Sequence, residues 1–474
     1  MRYKAKKLYN LTPGDFTLPV HVDRCGKIFT ALAHDIPMLA WPDGRWCLPA
    51  NIFMLEQFRK GLSRRDGGGT LKTYATNISH LIRYCYKNNF NFLDLSDNDF
   101  TLFMGTIADE RNINNFSTKV RGANHVISIG RTCLEFLSSV GRLYQDDEFV
   151  GPNGQILAEQ KEYVYRGCGI RSSKQRSRKY WHHHSFPTPD AEKRRSPITS
   201  SAIEKLRNAV LPSSRNIYQR KRRYVMLMML EITGGRRTEV AQLTVESTKR
   251  ANSMDEPMLE LLTAKRPGGR EEFRSIPITR NDLRILIEFI DINRQHIIRK
   301  TCGAEHDDGY VLLSSTTGLK LRANTVTQEI SILAEAAGID TQVCPHMFRH
   351  RFITKLFVAL IEQHEFENPD SFRRALLDVE TLKQKVQQWT GHTNLASLDH
   401  YIDLAFGEIA NFKKTYNAIT ARRVIDSFKS SVKQLQQEIK AGMSLAEASR
   451  QFSEMLDACD SDLRRLEEET NLEI

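Results

Sequence analysis

The feature that most constrains this chain is a set of polar residues that its helices must bring to one place. Pro345-His346-Met347-Phe348-Arg349-His350 sets a histidine and an arginine three residues apart, on one face of a helix. Gly391-His392 follows, and Tyr401 stands nine positions beyond His392 (401 − 392). Arginine neutralises phosphate oxygens, histidines move protons and a tyrosine attacks. These are the groups that phosphodiester cleavage without a metal needs.

The helix bearing His346 and Arg349 is expected to bury Phe348, Phe352, Leu356 and Leu360, with the polar trio falling away from that stripe. His350 fits a helix-to-helix hydrogen bond better than a catalytic part. On the last helix of the set, Leu395, Leu398, Ile402 and Ala405 form the core face, which places Tyr401 near its edge. Gln363 to Leu376, with Asn368-Pro369-Asp370 inside it, has the composition of an inserted loop.

Upstream, the apolar block Val225 to Leu230 predicts a buried helix that Gly234-Gly235 terminates. Arg236 then emerges at a turn, beside the start of a helix containing Glu239, Val240 and Leu243. A guanidinium fork there suits phosphate, and Glu239 is expected to position it. Met258 to Ala264 and Phe273 to Ile278 predict a hairpin with Lys265 at the mouth of its turn. A short strand is expected at Val311-Leu312-Leu313, between two further helices.

The ordered set of Thr233-Gly234-Gly235-Arg236-Arg237-Thr238-Glu239, His346-Met-Phe-Arg349-His350, Gly391-His392 and Tyr401 resembles the tyrosine recombinases of the phage integrase family. The resemblance covers residues 196–412 in detail and 48–145 in outline. It implies a mainly α, α+β fold: a helical core-binding domain, a mixed catalytic domain with a small β hairpin, and a helical C-terminal tail. It implies a site-specific recombinase that cuts and rejoins DNA through a covalent 3′-phosphotyrosine. The catalytic residues would be Arg236, Lys265, His346, Arg349, His392 and Tyr401, supported by Glu239 and His350. In the family a lysine on the hairpin protonates the leaving 5′ oxygen, a part that falls to Lys265, although the turn here is longer than the family's. No cofactor, metal or nucleoside triphosphate is required. The partner would be double-stranded DNA, with a homo-tetramer or an assembly with related recombinases formed on it. A type IB topoisomerase resembles the same site, and a DNA-binding protein with a decayed site is the alternative of another class.

Charge fits a polyanionic partner, since 68 Lys and Arg against 57 Asp and Glu leave a formal +11. The densest basic cluster lies between Gly151 and Pro197, where Arg166, Arg171, Lys174, Arg176, Arg178 and Lys179 run into Tyr180-Trp181-His182-His183-His184. This stretch is expected to be a linker along the phosphate backbone, with Arg171, Lys174, Arg176, Arg178 and Lys179 as contacts. Adjacent histidines do not share a helix face and no carboxylate stands at ligand spacing, so no metal site is expected.

The expected domains are a lead-in at 1–47, a helical core-binding domain at 48–150, the basic linker at 151–195, a catalytic domain at 196–412 and a tail at 413–474. Eight scattered cysteines without C-x-x-C pairs argue against a disulfide framework and for a reducing compartment. With no signal peptide and no long apolar run, the expected location is the cytoplasm, on nucleoid DNA. After Phe412, Val424, Phe428, Val432, Leu435 and Ile439 form a helical stripe, and Ser444-Leu445-Ala446-Glu447 opens a second helix. The pair is expected to serve contact between protomers.

Overall fold

The computed structural model describes residues 7–112, 115–165, 176–191, 195–263, 272–392, 395–409 and 416–471. The described residues divide into two compact units, one up to residue 191 and the other from 195 onward. Architecture is mainly helical with small, mostly antiparallel sheets, as the α+β expectation has it. No described helix is long and apolar enough to cross a membrane.

The first unit opens with paired strands β1 (Tyr9–Leu11) and β4 (Pro37–Leu39) flanking the hairpin β2 (Thr17–Val22) and β3 (Ile28–Leu32). Four helices carry its core: α1 (Leu48–Arg59), α2 (Arg65–Asn88), α3 (Asp97–Asp109) and α4 (Ala123–Leu143). Between α3 and α4 runs the ribbon β5 (Arg111–Asn112) and β6 (Asn115–Lys119). Leu71, Ile78, Leu81, Ile82 and Cys85 of α2 are buried at the expected helical spacing against Cys133, Leu134 and Leu137 of α4. Asn89 ends α2 in the left-handed conformation, at φ 55°. Ser96 caps α3 by accepting from the Asp99 N–H, and Asp99 answers to the Ser96 N–H.

The basic stretch expected as a linker belongs to this unit's fold. Parallel β7 (Val150–Gly151) pairs with β8 (Ile156–Tyr165), and β8 runs antiparallel to β9 (Arg176–His183) in register from Ala158↔His183 to Tyr165↔Arg176. Ile156 and Ala158 join the core on one side, so strand pairing and burial, not an open chain, fix this segment. Lys179 is exposed on β9, where Arg176 and Arg178 also lie; Arg171 and Lys174 are outside the described residues.

The histidine run takes part in a buried tie. His183 accepts at Nδ1 from the Ser185 N–H (3.2 Å) and donates from Nε2 to Asp97 Oδ1 (2.9 Å), pinning the end of β9 to the start of α3. Asp97, His183 and His184 bring donor atoms within 4.8 Å of one another, so a carboxylate does stand beside the histidines, supplied from 86 positions away. Hydrogen bonding already occupies both ring nitrogens of His183.

The second unit begins with α5 (Ser200–Ser213), capped by Thr199, and α6 (Ile217–Thr233), capped by Asn216. Short α7 (Arg237–Ala241) and α8 (Val245–Asn252) lead to the hairpin β10 (Met258–Leu262) and β11 (Phe273–Pro277). Then come α9 (Arg280–Glu288), a π-helical turn, α10 (Gln295–Lys300) and α11 (Ala323–Ala336). Val311, Leu312 and Leu313 are fully buried, but isolated bridges from Tyr310 to Thr244 and from Leu313 to Lys320 replace the expected strand.

The last part holds α12 (Pro345–Gln363), α13 (Pro369–Asp378), α14 (Glu380–Thr390), α15 (Asp399–Ile409), α16 (Tyr416–Lys440) and α17 (Leu445–Asn471). The segment expected as an inserted loop therefore contains a capped helix. Asn368 accepts from the Ser371 N–H, Pro369 opens the first turn, and Phe372 and Leu376 are buried. Phe372 packs on Phe357 of α12 and Phe406 of α15, so α13 props the helix that carries Tyr401. Arg373 adds ion pairs to Asp403 (2.7 Å) and Asp399 (3.5 Å) of that helix.

The tail is docked on its own unit. Lys221 of α6 pairs with Glu438 (3.0 Å), Tyr224 donates to Gln437 (2.8 Å), and Asn281 donates to Ser427 (3.0 Å). Arg284 of α9 reaches Glu454 of α17 (3.4 Å). The apolar stripe of α16 thus finds α17 and the catalytic unit as its partners.

Candidate active site

Everything at the site is arranged around one buried carboxylate, that of Glu239. Gly234 stops α6 at φ 54°, where an added Cβ would stand 2.6 Å from the Phe352 ring. The chain turns, and Arg236 becomes the residue before α7. Arg236 donates to Glu239 Oε1 (2.7 Å), and its backbone N–H donates to Oε2 (3.1 Å). The Arg236 side chain keeps 21% exposure while that of Glu239 has none. Glu239 so aims a half-buried guanidinium toward solvent.

A second guanidinium shares that carboxylate. Arg274 on β11 donates to Glu239 Oε2 (2.9 Å), to the Thr233 carbonyl (3.2 Å) and to the Trp389 carbonyl. Burial opposes charge on Glu239, but Arg274, Arg236 and Arg349 together hold its carboxyl at about 2. It is a fixed anion under all ordinary conditions.

Arg349 is buried, not turned away from the core as its place on α12 suggested. The helix packs on two sides, with Phe348 in the main core and Ile353, Phe357 and Leu360 in a second cluster with Tyr401. Arg349 lies at the seam, donating to the carbonyls of Gly234 (3.1 Å) and Thr390. Burial, then Arg236, push its pKa down to about 9. A guanidinium short of anionic partners in a desolvated site is poised for a phosphate.

His392 follows Gly391, which caps α14 at φ 65°; a Cβ there would meet Thr263 Cγ2 at 3.2 Å and Arg274 Cδ at 3.3 Å. Burial, Arg349, Arg236 and Arg274 force the imidazole down to about 3, so it is neutral at physiological pH. Its Nδ1 is buried with no hydrogen-bond partner among the described residues.

Tyr401 lies in the first turn of α15, 7% exposed and packed in the second cluster. Burial raises its pKa while Arg349 and Arg236 pull against that rise. The phenol is therefore both a core residue and a neighbour of the two arginines. Its ring meets His350 at 5.2 Å, and His350 meets His346 at 4.5 Å. His346 is exposed at the start of α12; His350 is buried, held to about 4 by burial and then by His346 and His400, and its Nδ1 lacks a described partner. Lys265 lies outside the described residues.

The site thus brings together Arg236, Glu239, Arg349, His392 and Tyr401, with His350 and His346 alongside. Sequence reasoning missed Arg274. The signal was present: β11 alternates inward at Arg274 and Ile276, and a charged residue at an inward strand position needs a buried partner.

Comparison with known proteins bears on the same segment. Residues 198–367 match the phage integrase family. Arg236, Lys265, His346 and Arg349 fall within the matched segment, and His392 and Tyr401 lie beyond it. No curated protein matches the chain. Among solved structures, a XerA recombinase aligns at 14% identity and a TM-score of 0.31, over 77% of this chain and 97% of its own. XerH site-specific recombinase aligns at 14% identity both in a post-cleavage complex with palindromic difH substrate (TM-score 0.43, 76% and 83% covered) and in a pre-cleavage complex with difH (TM-score 0.44, 76% and 84% covered). Residues 198–367, with the arginine and histidine positions they contain, are thus similar to the phage integrase family.

Proposed function

We propose that the chain is a site-specific DNA recombinase in which Tyr401 attacks a phosphodiester, forming a 3′-phosphotyrosine and freeing a 5′-hydroxyl. The observation that carries this reading is that the Tyr401 phenol lies within electrostatic reach of Arg349 and Arg236, the second of which is ion-paired to the buried Glu239 carboxylate. Among the described residues Glu239 pairs with two guanidiniums, Arg236 and Arg274, and a third, Arg349, lies near, a concentration of positive charge that suits a phosphate diester.

The proposed roles rest on the burial and charge of each described side chain and, for Lys265, on the family resemblance. Arg236, the more exposed of the pair on Glu239, and Arg349 hold the nonbridging oxygens as charge accumulates on the pentacoordinate phosphorus. Neutral His392 donates one further hydrogen bond. The phenolic proton, near 10 in the free side chain and raised here, must leave during attack. His346 is its acceptor, because the neighbouring His350 is held too acidic to keep a proton. Lys265 protonates the departing 5′ oxygen. The bond energy stays in the adduct, so rejoining needs only the reverse attack. Exposed Lys179, with the other basic residues of this stretch, supplies affinity for the duplex backbone. The recombinase would act as several protomers on two duplexes.

Covalent capture tests this reading. A random-sequence pool of nicked duplexes is incubated with the full chain in EDTA, and protein-linked DNA is recovered. Recovery of a defined duplex without divalent metal supports it; capture that EDTA abolishes and magnesium restores contradicts it.

A further inference from the structure

Arg274 and Arg349 staple the same two chain segments, one residue out of step. Arg274 donates to the carbonyls of Thr233 and Trp389; Arg349 donates to those of Gly234 and Thr390. One segment is the end of α6 and its glycine turn, which delivers Arg236. The other is the end of α14, which delivers His392. Arg274 alone adds a third tie, to the Glu239 carboxylate that holds Arg236 by its guanidinium and its backbone N–H.

The surroundings are tight. The Arg274 side chain is 2% exposed, and the glycine before His392 leaves no room for a Cβ without crowding the Arg274 Cδ. Three acceptors on three elements are met by one planar fork. Lysine, with a single nitrogen, cannot span them.

We propose that Arg274 is a positioning residue for strand cleavage: it fixes the distance between Arg236 and His392, acting through Glu239 on one side and the Trp389 carbonyl on the other. The inference rests on the phosphotyrosine reading above. Its chemistry is indirect, since both terminal nitrogens of the buried guanidinium donate to protein acceptors. Arg274 therefore affects the rate of the chemical step and not the hold on DNA, because a misplacement of about 1 Å costs on the order of 10²-fold in rate.

The test uses the full chain and the nicked duplex captured by the wild type. Should the wild type capture none, the phosphotyrosine reading fails first, and the Arg274 proposal is judged only on a wild type that reacts. Arg274→Lys is compared with wild type for thermal midpoint, DNA Kd and the rate of adduct formation at saturating DNA. The expected result is a folded variant with Kd within about twofold and a rate lower by about 10²-fold. Arg236→Ala and the double variant complete a cycle. Because Arg274 works through Glu239 and Arg236, the double variant should lie within about threefold of Arg236→Ala alone. A wild-type rate in Arg274→Lys, losses that multiply in the double variant, or weakened DNA binding with an unchanged rate would each overturn the proposal. Arg274→Gln is made in parallel. If both variants fail to fold, Arg274 is a core residue only, and the proposal falls.

Discussion

At Arg349 one guanidinium ties a buried seam together and, on the proposed mechanism, also holds phosphate, and the two contributions can be separated. Arg349→Ala strands the Gly234 and Thr390 carbonyls in a buried seam, at a cost of about 2–5 kcal/mol in unfolding free energy. Arg236→Ala, which leaves the buried Glu239 carboxylate its Arg274 partner, should cost less stability than Arg349→Ala while lowering the cleavage rate by about 10²–10³-fold. Equal stability losses for the two variants would contradict the burial difference. His350 gives a pH signature. Its folded pKa of about 4 lies below the free value of about 6.5, so in that window the unfolded chain holds a proton that the folded chain does not. Stability must therefore fall as pH drops from about 6.5 toward 4, by up to about 1.4 kcal/mol per pH unit for this histidine. Urea titrations of His350→Gln should show a shallower slope than wild type across that window, and an unchanged slope would dismiss the assignment. At this scale the sequence was informative about Arg236 and Glu239, because glycines, an arginine and a glutamate at helical spacing define a cap. It could not supply the burial of Arg349, which depends on which two clusters close over α12. Arg274 was legible only as an anomaly in strand alternation.

At the scale of elements, α13 is the instructive departure. Asn368-Pro369-Asp370 carries a helix N-cap, a proline at the first position and an acid in the first turn, the signals that open a helix. Proline and asparagine also mark turns, and the surplus length favoured the loop reading. Phe372 decides the matter physically, since its ring fills the space between α12 and α15. Phe372→Ala should cost about 3–5 kcal/mol and loosen the cluster in which Tyr401 is packed. Hydrogen exchange of the α15 amides reads this directly; protection equal to wild type would mean that α13 does not support the helix that carries Tyr401. Arg373→Ala should cost less than about 1 kcal/mol, because its pairs with Asp399 and Asp403 are largely open to water. The β8–β9 hairpin shows the complementary difficulty. Its basic composition is that of a linker, and only pairing across the described register reveals the strands.

For the whole chain, the tail follows the same rule that an apolar stripe needs a partner without saying which. The sequence showed the stripe on α16; the polar ties of Lys221, Tyr224 and Asn281 identify the partner as the chain's own catalytic unit. Ending the chain at Arg422 should expose the faces under Val424, Leu435 and Met455 and cost about 2 kcal/mol or more, a Tm decrease of about 4–8 °C. An unchanged Tm would return the tail to a role between protomers. Alanine at Arg171, Lys174, Arg176, Arg178 and Lys179 should flatten the slope of log K against log salt by about 0.9 for each phosphate that the variant no longer neutralises. A slope equal to wild type would remove the hairpin from the duplex backbone.

The central claim is that Tyr401 is the nucleophile, and one measurement reaches it directly. DNA-linked protein from a nicked duplex that sheds its 5′-hydroxyl fragment is digested, and the phosphorylated peptide is mapped by mass spectrometry beside the same reaction with Tyr401→Phe. That substitution removes one oxygen and little volume, so folding and DNA binding should persist. The account predicts the phosphate on Tyr401 in the wild type and no adduct from Tyr401→Phe. Phosphate on Tyr416, or an adduct that survives Tyr401→Phe, would contradict it.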